Sequence, residues 1–290
     1  MTNALGLALM AVTTTNLTWH DDARHRDVPV RIYAPAVTNP PVPLIVFSHG
    51  LGGSREGYAY LGQYWASHGY LVVHVQHIGS ATSIFTGSGT PREKALRAVA
   101  NLEHSHNRPQ DVSYVISRLA HDPRVDTNAI GVAGHSFGAH TALATIGMTI
   151  EGQSHRDPRI KAAVAMSAPR PAKAAALAAV GAPCLHLTGT RDDSPIFPAL
   201  ASDRAYCFHH ITAPHQWLVV LEDAHHFTFS DNPAWAGRRV VRDPRHHPWI
   251  AEMTARIFDA FLKGDPQARA WLENNGLQKL LGPAATVEQK

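Results

Sequence analysis

Cysteine is scarce in this chain: Cys184 and Cys207 are the only two among 290 residues. Two cysteines cannot build a disulfide framework, and these lack the close spacing of a metal site, so two buried thiols are expected. Long hydrophobic runs are missing as well. No segment reaches the roughly 20 consecutive apolar residues that a membrane-spanning helix needs, so no integral membrane association is expected. Nor does one sign of charge dominate. The 26 Lys and Arg against 23 Asp and Glu leave a net charge of +3, with the cations scattered along the chain, and no nucleic-acid partner is expected. There are 20 histidines, including the doublets His209-His210, His225-His226 and His246-His247. Yet HExxH does not occur and acidic partners at ligand spacing are lacking, so neither a metal nor an organic cofactor is expected. The short apolar stretch from Leu5 to Val12 has no basic residue before it and no small-residue cleavage pattern after it. A cytoplasmic location is favoured, with secretion or a periplasmic location left open, and the oligomeric state is not legible.

What the sequence does contain is core-forming material. It is 44% hydrophobic and only 17% charged, the balance of a folded globular protein. Strand-like and helix-like segments alternate from about residue 43 to 263, which predicts a mostly parallel α/β sheet with helices on both faces. Val12 to Trp19 and Val28 to Tyr33 are rich in β-branched residues and predict an antiparallel N-terminal opening to that sheet. Leu44 to Phe47, Leu71 to Val75, Ala129 to Ala133, Ala162 to Met166, Cys184 to Leu187 and Leu218 to Leu221 are short apolar runs of the kind buried on both faces.

Helices are expected over Tyr58 to His68, from Thr90 with a capping box, from Pro109, over Phe137 to Ile150, over Ala172 to Val180, and along Ile250 to Phe261. A last helix starts at Asp265-Pro266. With no long linker, the expectation is a single domain over 12–281, an N-terminal extension over 1–11 and a C-terminal tail over 282–290.

Chemistry concentrates at predicted strand ends. Gly134-His135-Ser136-Phe137-Gly138 is a G-x-S-x-G motif between a strand and a helix, the setting in which a sharp turn exposes the serine and a helix N-terminus favours developing negative charge. Such a serine needs a histidine base, itself oriented by a carboxylate. Asp192 follows a downstream strand and is the chosen acid, with Asp193 open as the alternative. His226 follows the last strand of the series and is the chosen base, with His225 open. An oxyanion formed at Ser136 needs two amide donors. Phe137 offers one, and Leu51 in Ser48-His49-Gly50-Leu51-Gly52-Gly53 offers the other. Ile84, Phe85, Ile196 and Phe197 are candidates to line an acyl pocket.

The segments SHGLGGSREGY, GHSFGAHTAL, TGTRDDSPI and DAHHFTF, in this order, resemble the dienelactone-hydrolase-related and plasma-type platelet-activating-factor acetylhydrolase-like branch of the α/β hydrolases, over roughly residues 15 to 275. The resemblance implies the α/β-hydrolase fold, a Ser136–Asp192–His226 triad and an oxyanion hole at Leu51 and Phe137. One departure from dienelactone hydrolases is the nucleophile, which there is cysteine and here is Ser136. The expected activity is hydrolysis of small-molecule or lipid-like carboxylic esters with short to medium acyl groups through an acyl-serine intermediate. An amidase or peptidase using the same triad, or a non-catalytic binding protein on this fold, are the alternatives.

Overall fold

The computed structural model describes residues 10–194, 196, 198–231 and 243–290. Within them the β-branched and aliphatic runs form β1 (Val12–Asp21), β2 (Arg26–Pro35), β3 (Val42–Ser48), β4 (Leu71–Val75), β5 (Val125–His135), β6 (Ile160–Met166), β7 (Cys184–Arg191), β8 (Gln216–His225) and β9 (Ala285–Gln289). These make one sheet in the order β1-β2-β4-β3-β5-β6-β7-β8-β9. The pairs from β4 through β8 are all parallel. The N-terminal opening is antiparallel, with β2 running against both β1 and β4.

Alternation along the strands explains the layering. In β3, Ile45 and Phe47 face one core layer while Leu44 and Val46 face the other, and all four are buried. The first layer is covered by α1 (Ala59–Ser67) and the helix His246–Phe261, through Leu61, Trp65, Ile250, Ile257 and Phe258. The second is covered by α3 (Leu102–Leu119) and α4 (Phe137–Thr145), through Val112, Val115, Ile116, Ala142 and Leu143. Contact is close: a Cβ on Gly131 of β5 would stand 2.7 Å from the Phe258 ring. Among the described residues, no helix is long and apolar enough to cross a membrane.

Several elements differ from expectation. The capping box at Thr90 does start α2 (Pro91–Ala100). Pro109, however, does not open α3, which begins at Leu102 with the Asn101 side chain accepting the Glu103 amide. Polar residues before Pro109 hide the apolar period of that first turn. The helix from Phe137 stops at Thr145, because the chain reverses at Gly147 (φ 130°), where a Cβ would come within 2.0 Å of the Ala179 carbonyl oxygen. The alanine-rich stretch at Ala172 to Val180 keeps only one turn, Ala174–Leu177. Residues 282–290 are not merely a tail: β9 pairs antiparallel with β8 from Trp217↔Gln289 to Leu221↔Ala285 and closes that edge of the sheet.

Parallel register aligns the strand ends. Ser48 lies beside Gly134, His135 beside Met166, and Met166 beside Leu187, so the loops that follow meet along one carboxyl rim. That is where ligands bind in open α/β sheets.

Candidate active site

Ser136 sits where β5 turns into α4, with φ 55° and ψ −117°. A residue with a side chain takes a positive φ only at a cost, and here the neighbouring glycines make the turn possible. A Cβ on Gly134 would stand 2.1 Å from the Gly138 carbonyl oxygen, and one on Gly138 would stand 1.8 Å from that of Ser48. The Ser136 amide donates to the Met166 carbonyl at 2.8 Å, so β6 braces the turn.

His226 follows β8 and brings its Nε2 to 3.0 Å from Ser136 Oγ. Its Nδ1 lies 2.8 Å from Asp192 Oδ1, beyond the end of β7. A proton on Nδ1 is the arrangement that this carboxylate favours, leaving the Nε2 lone pair directed at the serine hydroxyl. Asp192 is buried, and its charge is met on several sides. Ser167 Oγ donates to Oδ1 and Thr188 Oγ1 donates to Oδ2, each at 2.8 Å. The buried Arg204 donates through Nε to the Asp192 backbone carbonyl at 3.2 Å, and the same Nε lies 3.6 Å from Oδ1. Asp193 points elsewhere, its Oδ1 accepting the Ala201 amide. His225 instead caps the short turn that follows, where its amide donates to Thr228 Oγ1.

The loop after β3 carries Leu51. The carbonyl of Gly50, in the same peptide unit as the Leu51 amide, accepts from His49 Nδ1 at 2.6 Å and from the Gly53 amide at 3.0 Å. His49 Nε2 in turn accepts the His77 amide at 3.1 Å, which fixes its proton on Nδ1. Burial holds the His49 imidazole neutral, well below the usual histidine range, with the Arg108 cation nearby acting in the same direction. On the Ser136 side, the Ser136 carbonyl accepts from the His140 amide at 3.1 Å, which fixes the peptide unit bearing the Phe137 amide.

A second Ser–His–Asp constellation lies behind this loop. Ser48 Oγ is 2.7 Å from His77 Nε2, and His77 Nδ1 is 2.9 Å from Asp111 Oδ2. All three residues are completely enclosed. Asp111 also takes Arg24 and Arg26, and Ser48 Oγ accepts from Arg108 Nη2 at 3.1 Å. No substrate can reach this serine, and its partners hold a structural network.

Ser136 and His226 open onto a cavity of about 290 Å³ that Leu51, Tyr58, Phe85, Pro91, Arg92, Ala95, Ile196 and Phe227 also line. Of the four expected pocket residues, Phe85 and Ile196 are among those that line the cavity. Ile84 does not line the cavity; it lies in the short turn Thr82–Phe85, its amide donating to the Ala81 carbonyl. Phe197 lies outside the described residues. Both cysteines are buried free thiols. Among the described residues no cluster of three His, Cys, Asp or Glu side chains is arranged to hold a metal ion.

Sequence reasoning missed Ser167, Thr188, Arg204, Tyr58 and Arg92. Thr188 had a usable signal, standing four residues before Asp192 at the end of the same strand. Tyr58 ends the segment SHGLGGSREGY and Arg92 lies in the Thr90 capping box, but neither pattern points to the cavity; Ser167 and Arg204 come from distant segments with no motif. Tyr58 reaches His135, the residue before Ser136, with Oη 2.7 Å from Nδ1, and its own amide donates to Asp231 at 2.6 Å.

The chain is similar to several known proteins. Residues 8–94 match the family model described as platelet-activating factor acetylhydrolase, isoform II. Platelet-activating factor acetylhydrolase of Cavia porcellus is 28% identical over 152 residues, 41% of this chain and 35% of that protein. The Bos taurus protein of that name is 28% identical over 164 residues, 43% of this chain and 35% of its own length. The chain thus spans about a third of the length of these curated relatives. A ferulic acid esterase from Streptomyces cinnamoneus superposes with a TM-score of 0.63 at 22% identity, over 89% of this chain and 92% of that one. The chain has the α/β-hydrolase fold and resembles the platelet-activating factor acetylhydrolases, whose family model matches residues 8–94.

Proposed function

We propose that this protein is a serine hydrolase that cleaves carboxylic esters through an acyl-serine intermediate. The observation that carries the reading is the unbroken chain of hydrogen bonds from Ser136 Oγ through His226 to Asp192, opening onto an apolar-lined cavity. In this reading His226 takes the Ser136 proton as Oγ attacks the ester carbonyl, and the oxyanion is held by the Leu51 and Phe137 amides. The imidazolium then gives its proton to the leaving alcohol. Water, activated by the same Nε2, releases the acid and restores the serine. Asp192 keeps the imidazole in the working tautomer and offsets its charge. The names of the similar proteins, an acetylhydrolase and a ferulic acid esterase, support ester chemistry.

The cavity of about 290 Å³ sits at the low end of the ~300–1,000 Å³ of sites for drug-sized ligands. Short to medium acyl chains are the substrates it fits. Assay of p-nitrophenyl esters of graded chain length with wild type and Ser136→Ala tests the reading. The expected result is a rate maximum at short or medium chains and a loss in kcat of about 10⁴-fold or more in the variant. A folded Ser136→Ala protein that keeps its activity contradicts it, and a preference for long chains contradicts the substrate assignment.

A further inference from the structure

Arg108 is among the largest fully buried side chains of the protein, 1% exposed, and lies on α3, away from every motif that marks the site. Its guanidinium reaches three segments at once. Nε donates to Thr141 Oγ1 at 2.8 Å, and that hydroxyl donates in turn to the Phe137 carbonyl at 2.9 Å. The guanidinium also lies over the Phe137 ring, 4.5 Å from its centroid. Nη2 donates to the His49 carbonyl and, at 3.1 Å, to Ser48 Oγ. Nη1 donates to Ser80 Oγ at 2.8 Å, and the Ser80 carbonyl accepts the Gly52 amide at 2.8 Å.

One cation therefore ties the first turn of α4, which carries the Phe137 amide, to the loop that carries the Leu51 amide. We propose that Arg108 is a positioning residue for the oxyanion hole, holding its two donor segments at a fixed separation. This rests on the esterase reading above.

The chemistry of the side chain supports the assignment. Its acceptors here are hydroxyls and a carbonyl rather than a carboxylate, so nothing it bonds neutralises it, and burial pulls its pKa down to about 9. An apolar side chain of similar volume fills such a space at lower electrostatic cost. What an arginine adds is a rigid planar fork able to engage several acceptors at fixed angles. Fixed separation matters for a site that stabilises charge, because donors set in place beforehand need no reorganisation as the oxyanion forms.

The test compares wild type with Arg108→Met, Arg108→Lys and Thr141→Val in a short-chain ester assay, with kcat expressed per active site titrated by an acylating burst. The affinity of a trifluoromethyl ketone, which adds the serine and presents an oxyanion, is measured in parallel. For Arg108→Met the expected result is a fall in kcat of about 100-fold with KM within about threefold, matched by a similar loss of ketone affinity. Arg108→Lys, which keeps the charge but loses the fork, recovers only part. Thr141→Val, the milder change that remains informative should Arg108→Met not fold, loses about tenfold in kcat. Variants that melt earlier yet keep kcat per titrated site and ketone affinity within about twofold overturn the proposal and leave Arg108 a purely structural residue. Wild-type protein without Ser136-dependent hydrolysis removes the esterase reading, and this proposal with it.

Discussion

Around Asp192 the side chains are arranged to hold one carboxylate still. Ser167 and Thr188 each give it a hydroxyl, and Arg204 anchors its backbone. Removing either hydroxyl strips a charge-assisted bond from a group with no access to water, a loss of roughly 1.5–3 kcal/mol. Ser167→Ala is expected to lower kcat by about tenfold or more with little change in KM, since the base loses orientation while the cavity keeps its lining. Steady-state kinetics on the folded variant check this, and an unchanged kcat shows that Thr188 and His226 suffice to hold the acid. Ser136, Asp192 and His226 could be chosen from sequence because each closes a local strand-end pattern. Ser167, Arg204 and Arg108 could not, because their roles exist only once strands and helices far apart in the chain converge.

At the scale of elements, the parallel strands were legible because each is a short apolar run buried on both faces, and residues such as Ile45 and Val46 have no polar option. The first turn of α3 was not, since Leu102 to Arg108 shows no apolar stripe and earns its place through polar contacts such as those of Arg108. The alanine-rich segment near Ala174 has high helix propensity, but the chain crossing at Gly147 leaves no room to continue it. β9 escaped notice because Ala285 to Gln289 is a short segment of mixed polarity whose pairing depends on the exposed edge of β8. That edge has consequences for stability. Truncation after Ala284 removes the β8 pairing and the bond from Trp217 Nε1 to Gln289 Oε1. The expected outcome is a drop in Tm of about 5 °C or more, with greater aggregation from the uncovered edge. Thermal scans of the shortened protein at several concentrations test this, and an unchanged Tm with no added aggregation contradicts the role assigned to β9.

For the molecule as a whole, the main charge-dependent liability is its buried histidines. Burial lowers His74 to about 3 and His77 and His186 to about 4, all from the ordinary 6.5. The sign follows from which state binds the proton. Below pH 6.5 the unfolded chain takes up protons at these sites while the folded chain refuses them, so stability falls as pH drops from 6.5 toward 4 and levels off only below the folded values. Holding one such buried imidazole neutral this far below its ordinary range costs about 3 kcal/mol on acidification, against a total stability of about 5–15 kcal/mol. The urea midpoint is expected to decline steadily from pH 7 to 5, with cooperative acid unfolding above pH 4. A midpoint that stays flat over that range contradicts the neutral, buried state of these imidazoles.

Acylation of Ser136 can be read by intact-protein mass spectrometry of acid-quenched turnover on an acetyl or butyryl ester, followed by peptide mapping. The expected result is a single acyl adduct per chain, located on Ser136 and absent from Ser136→Ala. An adduct on another residue, or rapid ester turnover with no serine adduct at any quench time, contradicts it.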